Sequence, residues 1–252
     1  MEAAIEVRNI SKSFGNLRAL DEVSMQVERH TITILMGPNG SGKTTLINVI
    51  GGYYKPDSGK VLYLGKDITG LPPYKIYRLG LTRTFQIPAL FSQLTVFENV
   101  MAAKKDNPGE NFAKSLLRRT WLGKEREASE EAFKILELIG LSKMWDKQAT
   151  VLSGGQMKLL EIGRALMTGA NTIMLDEPIS GVNPTLAHEI FSTLVKLRDN
   201  YGITFFIIEH RLDIALTYVD RVIAMAFGKF VTEGSPQDVT ADRRVVDAYL
   251  GG

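Results

Sequence analysis

The chain has 252 residues, 44% of them hydrophobic, and a formal net charge of +2 from 30 basic and 28 acidic side chains. That near-balance lacks the basic excess of nucleic-acid binders, and the absence of cysteine excludes disulfides and thiolate metal sites. No stretch approaches the roughly 18 apolar residues of a membrane span, and the start MEAAIEVRNI lacks the basic end and apolar centre of a signal peptide, so any work at a membrane is expected to be indirect, through a partner.

In chain order, Ile5 and Val7, then Val23, Met25 and Val27, recur at period two, which predicts short antiparallel strands. TITILM is a continuous apolar run, as in a strand buried on both faces. TTLINVIGGYY predicts a helix ended by Gly51 and Gly52, and PDSGKVLYLG a turn followed by an exposed strand. From 88 to 167 helical periodicity dominates. Thr95 and Glu98 form a capping-box pattern, and Ala132, Phe133, Leu136 and Ile139 predict one helical stripe. RRTWLGK, residues 118–124, reads as a solvated face. From about 170, apolar strands alternate with helices again: NTIMLDEP, LAHEIFSTLVKLR, ITFFIIEH, RLDIALTYV and RVIAMAF. Ser235 and Pro236 predict the cap and first position of a further helix. The alternation predicts an α/β core with a mostly parallel sheet. The expected boundaries are 1–87 and 168–252 for the core with its antiparallel β subdomain, and 88–167 for a helical insertion, within one domain of 1–252.

Three apolar strands end in chemistry. GPNGSGKT, Gly37 to Thr44, lies between a predicted strand and a predicted helix, the setting a phosphate loop requires. Gly37, Pro38, Asn39, Gly40, Ser41 and Gly42 form the turn, whose amides would converge on phosphate oxygens. Lys43 would face the β and γ phosphates, Thr44 would offer its hydroxyl to Mg²⁺, and Thr45 follows in the same turn. NTIMLDEP ends in Asp176 and Glu177. Ligands of parallel sheets sit beyond the carboxyl ends of the strands, and neighbours on an extended chain point differently. Asp176 is therefore expected to hold the metal and Glu177 to act as general base. ITFFIIEH ends in His210, expected to reach the γ-phosphate. Together these predict a Mg²⁺-dependent nucleoside triphosphatase that works by positioning and charge stabilisation. By residue type alone, Gln86 in RTFQ reads as an ordinary polar residue and Phe14 in KSFG as core. Ser153 with Gly154, Gly155 and Gln156, in LSGGQMK, forms a second helix start suited to an anion.

With LSGGQ added, the ordered set of Phe14, phosphate loop, Gln86, Ser153–Gln156, Asp176–Glu177 and His210 resembles the ATP-binding cassette ATPases over essentially the whole chain. The resemblance implies a P-loop NTPase core of RecA-like type, ATP and Mg²⁺ as cofactors, and Phe14 as a platform for the base. It adds Gln86 to the catalytic and metal-binding residues. It also implies that Ser153, Gly154, Gly155 and Gln156 face the ATP of a second subunit. Each of the two phosphate-binding turns then serves a different nucleotide, and one chain alone holds two half-sites.

RTFQ, the long helical insert, LSGGQMKLLEIGRALM, IIEHRLDI and the terminus AYLGG are similar to ATPase subunits of branched-chain amino acid importers. That likeness implies transmembrane permease partners, a second ATPase subunit of the same or a sister type, and a peripheral place at the cytoplasmic face of the cell membrane. Importers of urea, amides or other amino acids share much of the pattern, and a non-transport cassette of the iron–sulfur assembly type has a similar size. Leu90 and Phe91 are expected in the groove that meets the permease. One departure stands out: many cassette ATPases have Ser-Ala-Leu-Asp after the acidic pair, and here Asn183 replaces the aspartate.

Overall fold

The structure, a computed structural model, describes residues 2–84, 89–105 and 118–250. In chain order its elements are β1 (Ala3–Phe14), β2 (Leu17–Glu28), β3 (Ile32–Met36), α1 (Lys43–Ile50), β4 (Ser58–Tyr63), β5 (Lys66–Asp67), α2 (Pro73–Arg78), β6 (Leu81–Arg83) and α3 (Val96–Met101). They continue with α4 (Arg118–Leu138), α5 (Gly154–Met167), β7 (Thr172–Asp176), α6 (Pro184–Tyr201), β8 (Thr204–Ile208) and α7 (Leu212–Ala215). The chain closes with β9 (Arg221–Ala226), β10 (Lys229–Gly234), α8 (Pro236–Ala241) and α9 (Arg243–Leu250). Two compact units emerge: an α/β unit within residues 1–86, 171–180 and 187–252, and a helical unit within residues 87–170 and 181–186.

The α/β unit holds two sheets, one in the order β2-β1-β4-β5 and one in the order β10-β9-β3-β8-β7-β6. The first is antiparallel. In the second only β10 runs against its neighbour. Every residue of β3, β7 and β8 is buried, which is why their sequences are mostly apolar and do not alternate. A single apolar cluster draws Ile5, Val23 and Val61 from the first sheet, Leu35, Met174 and Phe206 from the second, and Leu46 and Ile50 from α1. The helix after the phosphate loop is thereby fixed in the core.

Polar contacts pin the strand starts. Asp220 Oδ2 accepts the Ile32 N–H at 2.7 Å and also accepts from Arg198 Nη1 of α6 at 2.8 Å. The Thr204 hydroxyl accepts the His30 N–H at 2.9 Å.

Four expectations need correction. The first two strands are 12 residues each, not short, because bulged pairing lets β1 follow β2 along its whole length. The strand in PDSGKVLYLG is exposed only at its start. It lies between β1 and β5, and Val61 and Tyr63 are buried on its inner face. Of the predicted stripe, Ala132 and Leu136 in α4 and Ile139 just after it are buried, but Phe133 is 42% exposed and packs instead on Phe97 and Trp145, at 4.8 and 5.6 Å between ring centres. The RLDIALTYV segment supplies only the one-turn helix α7.

In the helical unit, α3 begins with the capping box read from sequence: Thr95 Oγ1 accepts the Glu98 N–H at 3.1 Å, and the Glu98 carboxylate accepts the Thr95 N–H at 2.8 Å. Ser235 caps α8 one way only, its Oγ accepting the Asp238 N–H at 3.2 Å, with Pro236 in the first turn. Among the described residues no helix is long and apolar enough to cross a membrane. Thr95→Ala is expected to destabilise the helical unit by about 1 kcal/mol. Both tryptophans, Trp121 and Trp145, belong to that unit, so a lowered urea midpoint of tryptophan fluorescence measures the loss, and an unchanged midpoint contradicts it.

Candidate functional site

The site is made by strands that end level. Leu35 of β3 and Asp176 of β7 both face Ile208 of β8. Gly37, Glu177 and His210 therefore emerge side by side at one sheet edge.

The loop after β3 is held by backbone that only glycine permits. Gly37 has φ +155°, and a Cβ there would lie 2.1 Å from the Met225 carbonyl oxygen. Gly42 has φ +97°, and its Cβ would lie 2.6 Å from the Ala19 oxygen of β2. In α1, Leu46 N–H reaches back to the Gly42 carbonyl at 2.9 Å, and the amides before it are the orphan donors of a helix start, available to an anion. Lys43 is buried, and its Nζ donates to the Gly37 and Pro38 carbonyls at 2.8 and 2.9 Å and to Ser41 Oγ at 3.3 Å. Burial pushes the Lys43 ammonium below its usual pKa, while the negative charges of Glu177 and Asp176 act in the opposite direction. Thr44 is exposed on the first turn and Thr45 partly so.

Asp176 and Glu177 do have different surroundings. Asp176 Oδ2 accepts from Arg83 Nη2 at 2.9 Å, both side chains being nearly buried. Glu177 sits at φ +49°, a left-handed backbone that is uncommon for a residue with a side chain. Its N–H still donates to the Ile208 carbonyl at 2.9 Å, and its carbonyl accepts the Ser180 N–H at 3.1 Å. The backbone twist turns the carboxylate to His210, whose Nε2 lies 3.3 Å from Glu177 Oε1.

Sequence reasoning passed over Glu209, which is 1% exposed. Its carboxylate accepts the N–H groups of Ile179, His210 and Arg211 at 3.3, 2.9 and 3.2 Å, tying the turn after β7 to the turn after β8. The acidic letter in IIEH was visible, but nothing local distinguishes an inward carboxylate from a solvated one. Arg83 was missed for the same reason.

Phe14 is half exposed and meets Tyr54 edge to face at 5.2 Å and 74°. Lys12 Nζ lies 5.6 Å from the Phe14 ring centre. The contact of Gly42 with Ala19 sets the β1–β2 hairpin against the phosphate loop. Gln86 lies outside the described residues.

In the helical unit, Ser153 caps α5. Its hydroxyl accepts the Gln156 N–H at 3.3 Å, and Gln156 Oε1 accepts the Ser153 N–H at 2.9 Å. Gly154 and Gly155 form the first helical positions. A Cβ on Gly155 would lie 2.1 Å from Leu186 Cδ2.

The donor set suits a magnesium nucleotide: helix-start amides, a lysine, an exposed threonine hydroxyl and one carboxylate. Among the described residues no cluster of three or more His, Cys, Asp or Glu could cage a metal alone. Mg²⁺ typically takes one or two protein ligands and completes its shell with phosphates and water.

The family model described as ABC transporter matches residues 20–180. The chain belongs to the ABC transporter family. A second model, described as Branched-chain amino acid ATP-binding cassette transporter, matches residues 231–252. "Probable branched-chain amino acid transport ATP-binding protein LivG" of Methanocaldococcus jannaschii is 49% identical over 251 residues, covering 98% of this chain and 97% of that one. Its namesake in Archaeoglobus fulgidus is 47% identical over 247 residues, covering 98% and 95%. A solved ATP-binding cassette of an ABC transporter in its ADP conformation matches at 46% identity and TM-score 0.86, covering 100% of both chains. A dimeric cassette in a post-hydrolysis state, bound to ADP and Pi, matches at 25% identity and TM-score 0.73, covering 92% of this chain and 98% of that one.

Within this cassette, Asn183 Oδ1 accepts the Leu186 N–H at 2.9 Å. The C-terminal segment matched by the second model reaches the phosphate loop: burial pushes the Tyr249 hydroxyl above its ordinary pKa, and a hydrogen bond from the Gly37 backbone opposes that rise.

The two loop glycines differ in a testable way. A Cβ on Gly40 meets nothing within 4 Å, whereas one on Gly42 strikes backbone oxygen. Gly40→Ala should cost only its left-handed strain, about 1–2 kcal/mol, and still bind nucleotide. Gly42→Ala should displace the β1–β2 hairpin and lose both thermal stability and nucleotide affinity. Equal melting temperatures for the two variants would contradict this account.

Proposed function

We propose that the chain is the ATP-hydrolysing subunit of an importer, working at the cytoplasmic face of the cell membrane and powering uptake of branched-chain amino acids. The observation that supports it most is the level ending of β3, β8 and β7, which gathers Lys43, Asp176, Glu177 and His210 at one edge. The solute class is supported by the two archaeal relatives and by the 231–252 match.

In this reading Gly37–Ser41 wrap the phosphates with their amides, Gly42 lets the loop close against β2, and Lys43 leaves its loop carbonyls to meet the β and γ phosphates. Thr44, Asp176 and Gln86 hold Mg²⁺, directly or through water, Thr45 adds its hydroxyl to the phosphate cradle, and Phe14 stacks on the base. Bound Mg-ATP would supply the β–γ phosphoanhydride bond that breaks as water adds to the γ-phosphorus, giving phosphate and ADP as leaving group, with charge neutralisation from the metal. Glu177 takes the proton from the attacking water, and His210, already at its carboxylate, keeps it aimed and reaches for the γ-phosphate. By the family resemblance, Gln86 also belongs to the catalytic residues. Ser153, Gly154, Gly155 and Gln156 complete the site of a second ATPase subunit, a reading favoured by the dimeric relative. The helical residues 88–167 act as the subdomain that passes dimer closure to the permease.

Glu177→Gln is expected to lower turnover by about 10²–10⁴ while ATP binding persists. In the presence of ATP without Mg²⁺, the same variant should double its solution mass, and with ADP it should not. Retained steady-state hydrolysis would overturn the assignment of the base. A monomer that still binds ATP would assign the second site to a sister subunit.

Phe91 is 50% exposed, and the Arg164 guanidinium lies 5.0 Å from its ring centre. With Leu90 it offers an apolar contact for the permease. Phe91→Asp should leave ATP affinity unchanged and weaken co-purification with the permease subunits; unchanged co-purification would overturn the contact.

A further inference from the structure

Arg83 lies three residues before Gln86, on the shortest strand of the parallel sheet, and no role has yet been given to it. It links two other elements of the α/β unit beside the site. Its Nη2 donates to Asp176 Oδ2 at 2.9 Å, and its Nη1 donates to Asn48 Oδ1 at 2.6 Å. The guanidinium carbon sits 5.5 Å from the Tyr53 ring centre. The side chains of Arg83 and Asp176 are only 8% and 11% exposed. Asn48 stands four residues after Thr44 on α1, and so on the same helix face one turn along. Its backbone carbonyl in turn accepts the Tyr53 and Tyr54 N–H groups at 2.8 and 3.1 Å. Strand β6 is registered to β7 with Arg83 opposite Met174, and Thr84 N–H donates to the Met174 carbonyl at 2.9 Å.

Only one oxygen of Asp176 is engaged: among the described residues no hydrogen bond reaches Oδ1. A planar fork can hold two acceptors on two different elements at once, which a lysine ammonium on its flexible stem does far less rigidly. The two groups that would hold the metal, Thr44 on α1 and Asp176 on β7, are thus spaced by a single side chain from β6. We propose that Arg83 is the positioning residue of the metal site, holding Asp176 by Oδ2 so that Oδ1 serves the magnesium nucleotide, and fixing β7 against the Thr44 face of α1. This rests on Asp176 being a metal-site residue. It adds a component to the site that the phosphate-loop and acidic motifs do not contain.

The test measures ADP affinity of the purified full chain by calorimetry, once with excess Mg²⁺ and once with EDTA. The quantity of interest is the ratio of the two dissociation constants. Arg83→Met is expected to reduce the Mg²⁺-dependent gain by about 10–100-fold, the usual cost of losing an outer-shell partner, with affinity in EDTA unchanged. Arg83→Lys keeps the charge, serves as the second variant should the methionine protein fail to fold, and should lose most of the same gain. In an Asp176→Asn background, Arg83→Met should add nothing further. A parallel fall with Mg²⁺ and with EDTA would make Arg83 a merely structural ion pair. Tighter Mg²⁺ dependence in Arg83→Met would make it a counter-charge opposed to the metal, and full rescue by lysine would reduce it to a charge; each overturns the proposal. If Asp176→Asn loses the gain and Arg83→Met keeps it, the proposal fails and the site stands. If Asp176→Asn keeps it, the assignment of Asp176 fails first and the proposal with it.

Discussion

The site depends on register. Leu35, Ile208 and Asp176 stand level across three parallel strands, and a slip of one residue would move a strand end by about 3.3 Å and turn its side chains to the opposite face. Alternating hydrophobicity normally guards against such a slip. Here it cannot, because β3, β7 and β8 are buried on both faces and, apart from Thr33 in β3, apolar except at the termini. The register is fixed instead by polar groups at the strand ends. Asp220 and Thr204 accept the amides of Ile32 and His30 at one edge. Glu209 gathers three amides at the other, and Asp176 is held by Arg83. The chemistry-bearing edge and the register-setting edge are partly the same residues.

That overlap explains why opposite charges are packed so closely. Lys43 is buried, which disfavours its charge, and the carboxylates of Asp176 and Glu177 counter that cost. Its ammonium donates to carbonyls of its own loop, so the loop keeps its curvature through a contact that phosphate oxygens can replace. Glu177 shows the same economy. Its positive φ is a strained conformation, and it persists because the backbone amide remains in the ladder to Ile208 while the side chain meets His210.

How much of this could be read from the letters depended on how local the cause was. The phosphate loop, the capping box at Thr95, the helix start at Ser153 and the strand-end pair Asp176–Glu177 are determined within a few residues, and spacing reveals them. Phe133 follows the helical period of α4, yet its ring lies outside the buried stripe because Phe97 and Trp145 offer it an aromatic cluster. The inner face of β4 was hidden because Val61 and Tyr63 are buried by a cluster drawn from both sheets, far away in the chain. Arg83 and Glu209 were silent for a stronger reason. Their partners lie 93 and 30 residues away, and a charged letter in a short strand or turn looks the same whether it faces water or a buried ion.

Asn183 shows where a departure in sequence leaves structure intact and alters charge alone. Its side-chain oxygen accepts the Leu186 N–H just ahead of the α6 turn, a cap that asparagine and aspartate make about equally well. The position of Leu186 is in turn what requires Gly155 to lack a Cβ, so the turn that carries the cap and the turn that carries Ser153 are packed together within the helical unit. An aspartate at 183 would keep this packing and add one negative charge. The difference between asparagine and aspartate at 183 is therefore one of charge, and not of the shape of the turn that carries Ser153.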